Sequence, residues 1–387
     1  MALIKDGMAV GNPAVKNRIR RFVSRIVFWI ALFAIFSPLR FLSACGLTPD
    51  NSGTSATDAD AGLTVYFIDV GQADSALIVC GEASMLIDGG NAADSSLIYT
   101  FLKDRGIDRL DYIVGTHPHE DHVGGLAGAL NYAAADVAYS PVAEFESKAF
   151  QNFVNYLGEQ GKTVAVPRHG DAFPLGGASV AILGPIKPSD EPNNMSIVMK
   201  ITYGETSFLF TGDAERAEEA DIIDEGYDLS ATVLKVGHHG SDTGTTYPFL
   251  REVMPRYAVV SCGADNPYGH PHEAVLSKLR DADVVLYRTD LDGTITAVSD
   301  GKTVRFSVEK NGGAESRARS DPAATFAASP DVAETEADRT AYIGNKNTRK
   351  LHSPACQSLP DEKNRVSFDT LDGALAAGYE KHAACLP

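Results

Sequence analysis

The sequence predicts an α/β protein, a four-layer αββα sandwich followed by a small separate module. Three observations predict it. Short apolar runs of strand length alternate with helix-like stretches in two similar halves between Leu63 and Lys310. Clusters of His and Asp fall directly after several of those runs, where loops at one sheet edge would gather them. A polar stretch then separates the sandwich from a last segment in which order returns at Tyr342.

The central stretch is Thr116-His117-Pro118-His119-Glu120-Asp121-His122-Val123-Gly124-Gly125. It follows the buried-strand run Leu110 to Val114 and is followed by a helix-like stretch to Ala134. Residues two apart project to the same side, so His117 and His119 converge on one cation while Asp121 and His122 turn towards a neighbouring one. The glycines are expected to let this backbone pass close to the metals.

Composition bounds the rest. The chain has 387 residues, 44% of them hydrophobic, enough for a sizeable core and too many for a disordered protein. Its net charge is −17, yet residues 1–44 hold seven Lys or Arg and one Asp, a net +6, which leaves −23 for the remainder. A basic start belongs to targeting, and an acidic body is a poor general attractor for nucleic acid. The five cysteines are scattered and make no disulfide framework, and Cys80 and Cys262 lie in apolar runs as core residues.

In chain order, Lys16 to Arg25 is basic and Ile26 to Phe36 is apolar, shorter than a membrane span and closer to a signal-peptide core. Leu42-Ser43-Ala44-Cys45-Gly46 resembles a bacterial lipobox, which would make Cys45 the lipidated first residue of the mature protein. An uncleaved anchor is the alternative for residues 1–45, and either one holds the body at the membrane. Residues 46–62 read as a tether. Strand runs at Leu63 to Asp69, Ala76 to Cys80 and Ser84 to Asp88 precede a helix from Ser95 to Arg105, and another helix spans Phe145 to Gly158. His169 sits in a turn and is read as solvated. The strand Thr206 to Thr211 delivers Asp213, whose two oxygens can bridge two cations. Ala231 to Val236 delivers His238-His239-Gly240-Ser241. Adjacent side chains diverge, so His239 is favoured as ligand and His238 as substrate contact, with the reverse open, and Ser241 is a candidate donor to a phosphate oxygen. Residues 311–340 read as a linker.

Together with Phe67 to Ser75, Asn193 to Val198, Phe210 to Glu215 and Leu234 to Ser241, the His/Asp motif resembles the signature of metallo-β-lactamase-fold hydrolases, in particular the hydrolase domain of ComEC-type competence proteins. The resemblance covers residues 63–310. It implies two divalent ions, Zn2+ or Mn2+, held by His117, His119, Asp121, His122, Asp213 and His239. Asp69 and Asp88 would orient the ligand imidazoles from behind. Asn194 and Ser196 would face metal or substrate, and His270 would stand at the cleft mouth as a substrate-side or acid group. The activity implied is phosphodiester hydrolysis of DNA outside the cell by water activated between two metals, with Asp121 orienting it and His238 or His270 meeting charge on phosphate. Alternatives are a phosphorylcholine or cell-wall phosphodiester esterase, a lactonase or β-lactamase, and a non-enzymatic surface lipoprotein that binds metal or a partner.

Residues 341–387 are similar to the small metal-binding domain of the Ada repair methyltransferase, through Gly344-Asn345, Lys350 to Cys356, Asn364 to Phe368 and Ala376 to Tyr379. The likeness implies a structural zinc site of His352, Cys356, His382 and Cys385, with His382 where that family has Cys. A disulfide between the two cysteines is the alternative.

Overall fold

The computed structural model describes residues 62–310, 342–354, 356, 359–360, 362–368, 370–382 and 386. The expected signal or anchor segment with Cys45, the expected tether up to residue 61, the expected linker and Cys385 lie outside the described residues.

The first half runs β1 (Leu63–Phe67), β2 (Ala76–Cys80), β3 (Ala83–Ile87), α1 (Ser95–Asp104), β4 (Arg109–Val114), α2 (Glu120–Val123), α3 (Leu126–Tyr132), β5 (Ala134–Tyr139), α4 (Lys148–Glu159) and β6 (Val164–Ala165). The second runs β7 (Ala172–Leu175), β8 (Ala178–Gly184), β9 (Val198–Tyr203), β10 (Thr206–Phe210), α5 (Arg216–Glu225), β11 (Val233–Lys235), α6 (Tyr247–Val253), β12 (Tyr257–Val260), α7 (Glu273–Asp281) and β13 (Val285–Arg288). After the short helix α8 (Thr289–Asp292), strands β14 (Ile295–Ser299) and β15 (Val304–Val308) return to the first sheet. The spatial orders are β15-β14-β1-β2-β3-β4-β5-β6 and β13-β12-β11-β10-β9-β8-β7.

Alternation along the strands makes the four layers. In β1, Leu63, Val65 and Phe67 enter a core shared only by the two sheets, with Phe208, Phe210 and Val259 opposite, while Tyr66 faces the other way. A second core packs the first sheet on α1, α3 and α4 through Ile98, Leu102, Leu126, Phe150 and Phe153. A third packs the second sheet on α5, α6 and α7 through Ile222, Leu250, Val253, Val275 and Leu279. Cys80 and Cys262 are buried in these cores. Helix α4 starts three residues later than the sequence suggests, because the Ser147 hydroxyl accepts the Phe150 N–H and caps it.

Within the sandwich, two strands go unmarked by the sequence pattern, β5 and β7. Half of Ala134 to Tyr139 is alanine, which dilutes the β signal of Val137 and Tyr139, yet it pairs parallel with β4 along its length. The parallel strands β3, β4, β10, β11 and β12 all point their C-terminal ends at the loops that carry the His/Asp cluster, the edge at which open α/β sheets place ligands.

The last segment forms a third, smaller sheet, β18-β16-β17-β19, from β16 (Tyr342–Asn345), β17 (Lys350–His352), β18 (Arg365–Phe368) and β19 (Glu380–Lys381), with α9 (Leu371–Ala376). Among the described residues, Leu351, Ala374 and Tyr379 form its buried apolar core. Among the described residues no helix is long and apolar enough to cross a membrane.

Candidate metal centre

Each group of the cluster arrives at a strand end. The loop after β4 brings His117 and His119, and α2 brings Asp121 and His122. The loop after β10 brings Asp213, and the turn after β11 brings His238 and His239, both non-glycine residues held at positive φ, 48° and 53°. Such a pair of left-handed residues is costly backbone of the kind that persists at functional sites.

The imidazoles are fixed by what their outer nitrogens touch. His122 Nδ1 lies 2.8 Å from Asp88 Oδ2, and that carboxylate also accepts the Thr116 N–H and hydroxyl, at 2.8 and 2.7 Å. His239 Nδ1 lies 3.1 Å from the Ser261 carbonyl oxygen, which can only accept, so this nitrogen carries the proton. Both rings therefore turn a lone pair on Nε2 into the cluster. His122 Nε2 stands 3.2 Å from Asp213 Oδ1, and His239 Nε2 stands 3.2 Å from Asp121 Oδ2 and 3.7 Å from Asp213 Oδ2. His117 is buried, with Nε2 3.9 Å from Asp213 Oδ2 and 3.0 Å from His119 Nδ1.

Three groupings in the cluster have ligand atoms close enough to share one ion: His117, His122 and Asp213; Asp121, His122 and His239; and, behind them, Asp74, Asp88 and His122, where Asp88 is already hydrogen-bonded to the His122 ring. His122 Nε2 and Asp213 Oδ1 are both buried and neither makes a hydrogen bond, although they face each other. Buried polar atoms without partners are rare, and two acceptors aimed at one point fit a cation. Charge says the same. Asp74, Asp88, Asp121 and Asp213 surround the cluster with Lys235 as the balancing base, an excess of negative charge when the imidazoles are neutral. Burial alone would lower His122, but Asp213, Asp88 and Asp121 lift it well above the ordinary histidine value. Burial likewise opposes the ionised Asp121, which His122 and His239 nevertheless hold at about 2. The residues present fit divalent metal.

His238 is a quarter exposed, with Nε2 3.6 Å from Asp213 Oδ2 and Nδ1 3.0 Å from the Thr243 hydroxyl and 3.4 Å from Glu215. His270 sits beside it, ring centroids 5.7 Å apart. Gln72 Oε1 accepts the Gly263 N–H at 3.1 Å, which orients the amide so that Nε2 donates to His270 Nδ1 at 3.2 Å. His270 Nε2 then bears the proton. Burial, and after it the neighbouring imidazoles, push His270 down to about 4.

Four expectations change. Asp69 is not behind the ligands: it accepts the Gly71 N–H at 3.3 Å and pairs with Lys310 at 2.7 Å near the surface. Its expected place belongs to Asp74, buried, 2.8 Å from Lys235 Nζ and 3.6 Å from His239 Nδ1. Asp74 lies five residues on in the same quoted stretch, and the strand end at Asp69 drew attention to the wrong acid. Asn194 and Ser196 do not face substrate, because Asn194 Oδ1 accepts the Glu215 N–H at 3.2 Å and Ser196 Oγ accepts the Asp213 N–H at 3.0 Å. Both set the Asp213 loop. Asn193 instead holds a buried side-chain oxygen with no partner, and its amide reaches Glu215 at 3.3 Å. Ser241 is buried against Thr243, 3.2 Å between hydroxyls, where it steadies the residue that holds His238. The glycines after His122 bring the backbone against Gly89 and Gly90, with Gly125 N–H donating to Gly90 at 3.0 Å. His169 is outside the cluster, 2.9 Å from the Tyr227 hydroxyl.

In the small module His352, Cys356 and His382 offer three further ligand atoms within 4.8 Å of one another.

A two-sheet sandwich with this cluster at its strand ends defines the metallo-beta-lactamase superfamily, which residues 68–264 match, half of the chain; the chain belongs to that family of hydrolases. More particularly, it is 30% identical over 263 residues to ComE operon protein 3 of Bacillus subtilis (strain 168), covering 63% of this chain and 34% of that protein. It is 32% identical over 239 residues to competence protein ComA of Neisseria gonorrhoeae, covering 61% and 32%. These matches fit the ComEC-type hydrolase domain, and the chain spans about a third of the length of these relatives. The solved metallo-beta-lactamase fold protein YhfI from Bacillus subtilis is similar at 14% identity and TM-score 0.43, over 64% of this chain and 100% of that one.

Proposed function

We propose that this chain is a metal-dependent phosphodiesterase that cuts DNA outside the cell. The observation that carries the hydrolytic part is the pair of buried, unpartnered acceptors His122 Nε2 and Asp213 Oδ1 at the centre of the cluster. What supports DNA as substrate is the pair of competence relatives matched over more than half of the chain. Ser196 and Asn194 add nothing to it, because both serve the Asp213 loop. Export is supported by the basic and apolar start and the lipobox-like Leu42 to Gly46, which would tether the body at the membrane through Cys45.

His117, His119, Asp121, His122, Asp213 and His239 would hold the ions, Zn2+ or Mn2+. The ions would supply an acidified water and charge stabilisation for phosphate. The chain's own groups do the rest. Asp121, a third exposed and ionised, orients the attacking water by accepting its hydrogen bond. His270 presents its Nε2–H to the open side of the cluster, where it donates to a phosphate or leaving-group oxygen. His238 lines the same side and contacts substrate, while Thr243 and Glu215 hold its ring.

The test incubates the purified chain with Mn2+ or Zn2+ and single-stranded DNA. Cleavage is expected, with Asp121→Ala reducing it by at least about a hundredfold. Activity on p-nitrophenyl phosphorylcholine or nitrocefin in place of DNA and bis-p-nitrophenyl phosphate would replace this reading with an esterase or a lactamase, and inactivity on all of them would leave a binding protein.

A further inference from the structure

The end of helix α7 carries two acids in a place that disfavours them. Asp281 closes the helix and is buried, although a carboxylate there meets the negative end of the helix dipole and loses its water. It is made tolerable largely from the small module. Its carboxylate accepts Tyr247 Oη at 2.7 Å and Asn364 Nδ2 at 2.7 Å, and its carbonyl accepts Asn345 Nδ2 at 3.1 Å and the Thr348 hydroxyl at 3.3 Å. Asn345 and Asn364 are themselves buried. Arg251 of α6 adds a contact to the Asn347 carbonyl at 2.6 Å. Two residues beyond, Asp283 stands at φ 59°, a left-handed conformation, and its carboxylate is hydrogen-bonded to His382 Nε2.

His382 thus has a nitrogen on each side of a domain boundary. Its Nδ1 lies 3.4 Å from Cys356 Sγ, which is 3.5 Å from His352 Nδ1. A neutral imidazole that ligates through Nδ1 must keep its proton on Nε2, the atom that Asp283 accepts from. We propose that the module is a metal-locked clamp: a soft divalent cation of the zinc type on His352, Cys356 and His382 fastens the module to the end of α7 through Asp283. On binding, the Cys356 thiol gives its proton to solvent and His382 keeps its own, shared with Asp283. The coupling runs both ways, so docking tightens metal binding and metal tightens docking. The small apolar core of the module, Leu351, Ala374 and Tyr379 among the described residues, makes an external staple physically useful.

The experiment titrates the full chain with Co2+ and follows the thiolate-to-cobalt charge-transfer band. The large cluster contains no cysteine and is silent in that band, and Cys80 and Cys262 are buried in the cores. Wild type is expected to show the band, Asp283→Asn to weaken Co2+ by about ten- to a hundredfold, and Asn364→Ala, which touches no ligand, by about fivefold or more. A site-specific protease sequence inserted between residues 311 and 340 supplies the second readout. After cutting, the module should co-elute with the body in Zn2+ and separate in chelator. Absence of the band, an unshifted Asn364→Ala titration beside a shifted Asp283→Asn, or co-elution indifferent to chelator would each overturn the clamp.

Discussion

At the scale of single residues, the candidate metal centre is organised by hydrogen bonds made on the side away from the facing ligand atoms. Asp88 is buried and reaches Thr116 with both carboxylate oxygens, which leaves it one orientation towards His122. Burial raises its pKa, and His122 is the first of the groups that oppose this. A neutral amide at this position keeps the shape and loses the charge that makes the ring a stronger ligand. Asp88→Asn should therefore lower metal affinity by about 10- to 100-fold while leaving the fold intact, read as metal retained after equilibrium dialysis at graded free Zn2+. Retention equal to wild type would show that the His122 ring is set by packing alone. The candidate ligands are legible in the sequence because metal chemistry confines ligands to few residue types. Their supports are not: Asp74, Gln72, Glu215 and Thr116 are ordinary polar residues whose role arises from contacts as distant as Gln72 to His270, 198 positions apart.

At the scale of elements, strands rich in Val, Ile and Phe announced themselves, and the alanine-rich β5 did not. Alanine fits both a helix and a narrow buried strand, and only the neighbour β4 decides between them. The glycines show the same limit. Gly124-Gly125 marks a tight approach in any reading, but its partner is the backbone that follows β3 and not the ions. A Cβ on Gly125 would run into the Gly89 carbonyl, and both sides of that contact are backbone, so neither yields. Gly125→Ala should cost about 2–4 kcal/mol and loosen the loop that carries His117 to His122. Gly158, near the end of α4, is the control, because a Cβ there meets nothing within 4 Å and Ala favours the helix by about 0.5–1 kcal/mol. Urea midpoints of the two variants should move in opposite directions, and a Gly125→Ala midpoint at or above wild type would remove the close-approach argument.

At the scale of the whole molecule, the proposed substrate and the charge of the chain have the same sign. The residues after position 44 carry −23, and the ions are the natural attractors for phosphate in such a body. A basic DNA-binding protein loses affinity as salt rises, because its cations displace counterions from the nucleic acid. Here general repulsion acts over distances beyond about 10 Å, which is the length that added salt screens, while attraction at the buried centre is short-ranged and screened far less. Raising NaCl from about 20 to about 150 mM should therefore lower the apparent KM for a single-stranded oligonucleotide and leave kcat nearly unchanged. Bis-p-nitrophenyl phosphate, with one charge, should show almost no change over the same range. A KM for the oligonucleotide that climbs steeply with salt would mean that a basic surface grips DNA after all, and substrate capture would then have to be sought away from the metal centre.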